Sequence, residues 1–212
     1  MKKQLAVFGL VAGAVLAHGQ ANAQSAEIKV IGKILPDACQ LVIGGGGVYD
    51  FGNIGADKLS KDSTTTLEAK TQTLTVTCNA AAKVAVKATD NRMGSAAGGK
   101  GDAYEFGLGK HPGGDPGYYK LALTRAISEG NTLDVLADSN NSNSWSIDSA
   151  GFTANGTSRV AFASSGSLAP EAYKNLTADL TVTPTINKLS ALDLANGGVD
   201  LDGSATIELS YL

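Results

Sequence analysis

The 212-residue sequence predicts an all-β sandwich, and three observations carry that prediction. Short runs rich in β-branched residues recur at near-regular spacing between glycine and proline turn signals. Several of them alternate apolar and polar residues with period two, the pattern of a strand with one buried face. Helical periodicity is scarce, and its best candidate, Ala191–Leu194, is a single turn.

Taken in order, the chain opens like a secretory signal. Lys2 and Lys3 form a charged start, Leu5 to Ala17 is an apolar run too short to span a bilayer, and Ala21-Asn22-Ala23 fits a small-x-small cleavage site. Residues 1–23 are therefore expected to be removed, leaving 24–212 as one sandwich domain exported across a bacterial inner membrane. No later stretch approaches membrane-spanning length, so no membrane span is expected after signal removal.

Ile28 to Leu35 reads as a first strand bent at Gly32, and Pro36-Asp37 ends it just before Cys39. Gly44 to Gly47 is a four-glycine turn, and Val48 to Ile54 reads as a second strand. Gln72 to Cys78 alternates cleanly, with Leu74, Val76 and Cys78 inward, and Val84 to Ala88 follows a short connection. Asp90 to Gly117 is loop-rich around the short run Tyr104 to Leu108. Tyr118 to Thr124, Thr132 to Leu136, Trp145 to Ile147, Val160 to Phe162 and Leu176 to Thr183 are further strands.

The last eight residues alternate up to the C-terminus. Ala205, Ile207, Leu209 and Tyr211 fall on one face, Thr206, Glu208 and Ser210 on the other, and the apolar series continues backwards through Gly203, Leu201 and Val199. Chain ends are usually loose and polar. A chain that ends inside a strand is expected to have something to pair with there.

Charge and cysteine content narrow the function class. Without Lys2 and Lys3 the chain carries 15 basic and 20 acidic residues, a formal charge of −5, and no basic patch, which argues against a nucleic-acid partner. Cys39 and Cys78 are the two cysteines, and in an exporting compartment they are expected to form a disulfide. A metal pair would need more ligands, and His111 is the one histidine outside residues 1–23. No nucleophile–base set or metal set is visible, so neither an enzyme nor a cofactor is expected.

Several of these residues coincide with a known pattern. The opening Lys29-Val30-Ile31-Gly32-Lys33-Ile34 leads to Cys39. Cys78 closes an alternating strand about forty residues later. Val48-Tyr49-Asp50-Phe51-Gly52-Asn53-Ile54 looks like a valine-x-phenylalanine-glycine segment, and Tyr211 is the penultimate residue of a terminal strand. In these features the chain resembles the structural subunits of chaperone–usher pili (fimbriae). Asp90-Asn91-Arg92-Met93-Gly94-Ser95 is similar to the branch often called beta-fimbriae.

The resemblance implies an incomplete immunoglobulin-like sandwich lacking its seventh strand, complemented by a strand from a partner. It implies a periplasmic pilus chaperone, an outer-membrane usher and neighbouring fimbrial subunits as partners. The location it implies is the periplasm and then the cell surface of a Gram-negative bacterium, with a contribution to adhesion. Ala205, Ile207, Leu209 and Tyr211 would line the groove for the borrowed strand, and the Leu212 carboxylate would meet basic residues of the chaperone. This is strand addition at a sheet edge. One departure stands out: only Gln24-Ser25-Ala26 precede the first strand, too few to pair as a donor. Either the Glu27-to-Ile34 strand is itself donated, or assembly differs, or this subunit never donates.

The remaining polar features have plainer readings. Asp90-Asn91-Arg92 reads as a turn capped by an aspartate. The glycine runs lack the strand–helix setting and Lys-Ser/Thr of a phosphate loop. Asp200 and Asp202 are too few for calcium. Asn155-Gly156-Thr157 and Asn175-Leu176-Thr177 match the glycosylation triplet, which says little in a bacterial export. Trp145 is expected to be packed rather than sugar-stacking. The rival to the fimbrial reading is a free periplasmic or secreted β-sandwich that binds a sugar or small ligand; it requires a complete sandwich and exposed aromatics.

Overall fold

A computed structural model describes residues 29–31, 38–147, 151–195 and 197–212. The expected signal segment and five of the eight residues of the expected Ile28-to-Leu35 strand lie outside these residues, and the three described ones, Lys29, Val30 and Ile31, are exposed and join no strand. From residue 38 onward the described residues are all-β and form ten strands: β1 (Cys39–Ile43), β2 (Thr65–Thr66), β3 (Lys70–Asp90), β4 (Phe106–Gly107), β5 (Gly117–Ser128), β6 (Asn131–Asp138), β7 (Ser146–Ile147), β8 (Arg159–Ser164), β9 (Ala172–Ile186) and β10 (Ala205–Tyr211).

The strands form a sandwich of two layers joined through shared strands. One layer runs β1, the first half of β3, β9 and β5. The other runs β10, the second half of β3, β8 and β6. Every ladder is antiparallel. β3 serves both layers because its register breaks between Thr77 and Ala82. The sequence places a connection at this point; here the chain passes between layers through a bulge, without leaving extended structure.

Alternation puts the core where the sequence places it. Leu74, Val76 and Cys78 of β3, Leu121 and Leu123 of β5, and Leu176, Leu180 and Val182 of β9 are all buried. Phe106, Phe152 and Phe162 fill the space between layers and are at most 1% exposed. Fully burying such a ring is worth about 1.5–3 kcal/mol over leaving it in water.

Three expectations need correcting. Val48 to Ile54 joins no ladder: Gly52 turns its backbone with a φ of 61°, and side chains rather than a neighbouring strand hold it. Cys39–Ile43, to which the sequence reading gives no element, is strand β1; its alternation is short, and the preceding Pro36-Asp37 masks it. The apolar series before β10 is real, but Val199, Leu201 and Gly203 lie in irregular chain. The helical turn expected at Ala191–Leu194 falls instead at Leu189–Ala191, and Gly44–Gly47 and Ala56–Lys58 form further short turns of 3-10 type.

The disulfide between Cys39 and Cys78 is present. The two residues stand directly opposite in the β1–β3 ladder. The Cys39 N–H points away from β3, so this is a non-hydrogen-bonded pair, the site where opposed strands approach closest. The Cα atoms are 4.0 Å apart.

At the far edge Asp138 is sealed under its own loop. Burial pushes its carboxyl up, but the Arg159 guanidinium at 2.6 Å and the amides of Ser142, Asn143 and Asn140 outweigh burial and hold it well below the usual carboxylate range. Trp145 packs against the same guanidinium at 5.3 Å, in line with the packed reading of that residue.

Replacing Cys39 and Cys78 together by alanine is expected to cost about 4 kcal/mol, the chain-entropy value for a loop of this length. Chemical denaturation of the oxidised wild type beside the double variant measures it.

Candidate functional site

Both β1 and β10 have a single ladder partner among the described residues, and for both it is β3. Each therefore carries a second edge with no described strand on it. The register shows what that edge offers. The Asn91 N–H donates to the Ser204 carbonyl at 2.9 Å, and the Leu212 N–H to the Lys83 carbonyl at 3.0 Å. Even-numbered residues of β10 thus bond to β3, and the N–H and C=O groups of Ala205, Ile207 and Leu209 point to the opposite edge. On β1 the outward Cys39 N–H sets the same parity, so Leu41 and Ile43 also turn their backbone groups away from β3.

The same residues turn their side chains inward. Ala205, Ile207 and Leu209 are half-buried against the core, as are Leu41 and Ile43. A cavity of about 290 Å³ lies between the two edges, lined by Ile43, Ala205 and Ile207 from the flanks and by Leu121, Leu180 and Val182 from the floor. A second cleft of about 690 Å³ adjoins it between residues 48–56 and 192–201, sharing Tyr49, Phe51 and Leu201.

One end of this groove is closed by Tyr211. Its hydroxyl accepts the Cys39 N–H at 2.7 Å, so the two edges stand one tyrosine side chain apart. Of the residues assigned to the groove by sequence, Ala205 and Ile207 line the cavity. Leu209 packs on the core below it, Tyr211 shuts its end at 38% exposure, and Leu212 is 43% exposed beyond it.

The other end of β10 is stapled by the Asp90-Asn91-Arg92 turn. Asp90 Oδ1 accepts the Arg92 N–H at 2.8 Å, the aspartate-capped turn that the sequence suggests. Arg92 forms a two-pronged pair with Asp202, at 3.0 and 2.9 Å, and holds that carboxyl below its usual range. Asn91 bonds the side chains of Ser204 and Thr206. Both Asp202 carboxylate oxygens are thus engaged by the Arg92 guanidinium. Gly203 lies against Tyr119; a Cβ there would come within 2.9 Å of its ring. His111 accepts the Gly113 N–H within its own loop.

Sequence reasoning missed the role of residues 48–52. Gly45, Gly46 and Gly47 turn the chain with φ of 59°, 66° and 75°, which glycine adopts without strain. The chain then crosses the groove mouth. Gln72 Nε2 donates to the Val48 carbonyl at 2.6 Å, and Lys70 donates to the Asp50 carbonyl while its ammonium sits 5.2 Å over the Phe51 ring. The Tyr49 hydroxyl donates to the Leu180 carbonyl at 2.9 Å. Tyr49 and Phe51 so cover the floor that Leu180 and Val182 are only 2% and 7% exposed. The alternation of Tyr49 and Phe51 puts two aromatic rings on one face, but which surface they cover depends on distant residues such as Leu180.

Residues 28–110 match a family model described as a protein of unknown function (DUF1120). Along nearly its full length the chain is also similar to two proteins of Escherichia coli (strain K12). It is 29% identical to the uncharacterized protein YhcF over 96% of this chain and 98% of that one. It is 26% identical to protein GltF over 100% and 99%. The family match takes in the disulfide, the residues covering the groove and the Asp90-Asn91-Arg92 turn; β10 lies beyond it.

Burial pushes the Tyr49 phenol up to about 12. Because the folded value lies above the unfolded one, near 10, this group's stabilisation is complete below pH 10 and is lost as pH rises toward 12. Burial also pushes the Tyr119 and Tyr173 phenols up, so absorbance titration of tyrosinate is expected to show several late-ionising phenols, and Tyr49→Phe is expected to remove one of them and leave the others.

Proposed function

We propose that the chain is a structural subunit of a chaperone–usher fimbria that accepts a partner's β-strand between β10 and β1. The observation that carries this reading is the pair of edges whose backbone groups face an apolar cavity. A strand entering there would bond the outward N–H and C=O groups of Ala205, Ile207 and Leu209, and its alternate side chains would enter the cavity. Main-chain bonds would supply affinity and the cavity register. The exposed edge is otherwise an aggregation hazard, which gives a reason for a periplasmic chaperone to cover it before assembly. The reading concerns the acceptor role; the three possibilities for the donor stand as given above.

One observation favours the rival, a self-sufficient sandwich that binds a sugar or other small molecule. Tyr49 and Phe51 already cover most of the groove floor, so the unoccupied molecule leaves little apolar surface bare. On the fimbrial reading these two rings close over the interior until a strand arrives.

Strand-exchanged polymers are expected to survive cold detergent as a ladder on a gel and to collapse to monomer on boiling. Ile207→Asp, which puts a charge into the cavity, is expected to abolish the ladder and to cut recovery of the exported chain without unfolding the β3–β9–β5 layer. A clean monomer in both lanes, stable without a chaperone, favours the rival.

A further inference from the structure

The outer face of the β1–β3–β9–β5 layer is dominated by threonine and carries few of the long charged side chains that usually cover a solvated sheet, Lys120 and Arg125 of β5 among them. Down β3 it presents Thr71, Thr73, Thr75 and Thr77, and down β9 Thr177, Asp179, Thr181 and Thr183. The ladder sets them in rows, Thr71 beside Thr181, Thr73 beside Asp179 and Thr75 beside Thr177. The hydroxyls of Thr71 and Thr181 lie 2.9 Å apart. Two apolar residues end the Thr75–Thr177 row. Val42 of β1, opposite Thr75, is 59% exposed, and Ile127 of β5, opposite Thr177, is 43% exposed. This row crosses four strands without a charge.

The charges on the face are internally cancelled. Asp179 pairs with Arg125, and Lys120, opposite Thr183, pairs with Asp102 at 3.0 Å. Residues 24–212 carry a formal charge of −5 and repel their own copies, and that repulsion is least where the surface is neutral. Threonine is short and β-branched, so it loses little rotamer freedom when covered.

We propose that this face is a self-association surface on which two copies pack, threonine rows interdigitating between Val42 and Ile127. Four strands about 4.8 Å apart and roughly seven residues long at about 3.3 Å each give about 450 Å² per copy. That is near half of the ~800 Å² per partner of a standard stable interface. Single molecules therefore associate weakly, while arrays of copies associate strongly through many simultaneous contacts. The face itself is independent of strand addition; its strengthening in an array rests on the fimbrial reading.

Static light scattering of residues 24–212 at rising concentration tests it, beside Thr75→Lys/Thr181→Lys on the face and Ser139→Lys/Ser144→Lys on a distant loop with the same added charge. Wild type and the loop variant are expected to show a negative second virial coefficient and the face variant a positive one. Val42→Asp is a second probe of the face and is expected to act in the same direction. Absence of attraction in wild type, or face variants indistinguishable from the loop variant, overturns the proposal. Association through β10 responds to Ile207→Asp and not to the face variants, so failure of either reading is distinguishable.

Discussion

The rest of this structure depends on a coincidence of two periodicities at an unpaired edge. In an antiparallel strand both the side-chain direction and the backbone hydrogen-bond direction alternate every residue. On β10 the residues that bury their side chains, Ala205, Ile207 and Leu209, are also those whose N–H and C=O groups point away from β3. On β1 Leu41 and Ile43 do the same. Shifting β10 by one residue against β3 would turn Thr206 and Glu208 into the core and close the edge to any useful partner.

Beside the ladder to β3 and the Lys87–Glu208 pair along it, contacts at the two ends of β10 hold that arrangement. At the C-terminal end the disulfide ties β1 to β3, and Tyr211 ties β10 to the same corner through the Cys39 amide. At the N-terminal end Asn91 and Arg92 tie Ser204, Thr206 and Asp202 to the turn after β3. Between these ties the facing edges are bridged by the aromatic residues Tyr49 and Phe51, whose segment is tethered by Lys70 and Gln72 side chains and not by a ladder. Side-chain tethers are individually modest, of order 1 kcal/mol each, and so are easily exchanged.

Much of the fold was legible because strand periodicity is a local property. Leu74, Val76 and Cys78, or Leu176 to Val182, announce their buried face within a few residues, and the structure follows them. The errors arose where pairing, which is not local, decides the outcome. Val48 to Ile54 has strand composition but no partner, and β3 runs through a bulge that reads as a loop because Asn79 to Lys83 interrupts the apolar pattern. The groove residues at 205, 207 and 209 were visible as an alternating face. The closing role of Tyr211 and the covering role of Tyr49 were not, since each depends on a contact more than a hundred residues away in sequence.

Backbone amide hydrogen exchange along β10 tests the central claim most directly. In isolated residues 24–212 the amides of Thr206, Glu208 and Ser210, bonded to β3, are predicted to be protected, and those of Ala205, Ile207 and Leu209 to exchange rapidly. Uniform protection of all six in the monomer would contradict the account, since it would mean that this edge is already paired.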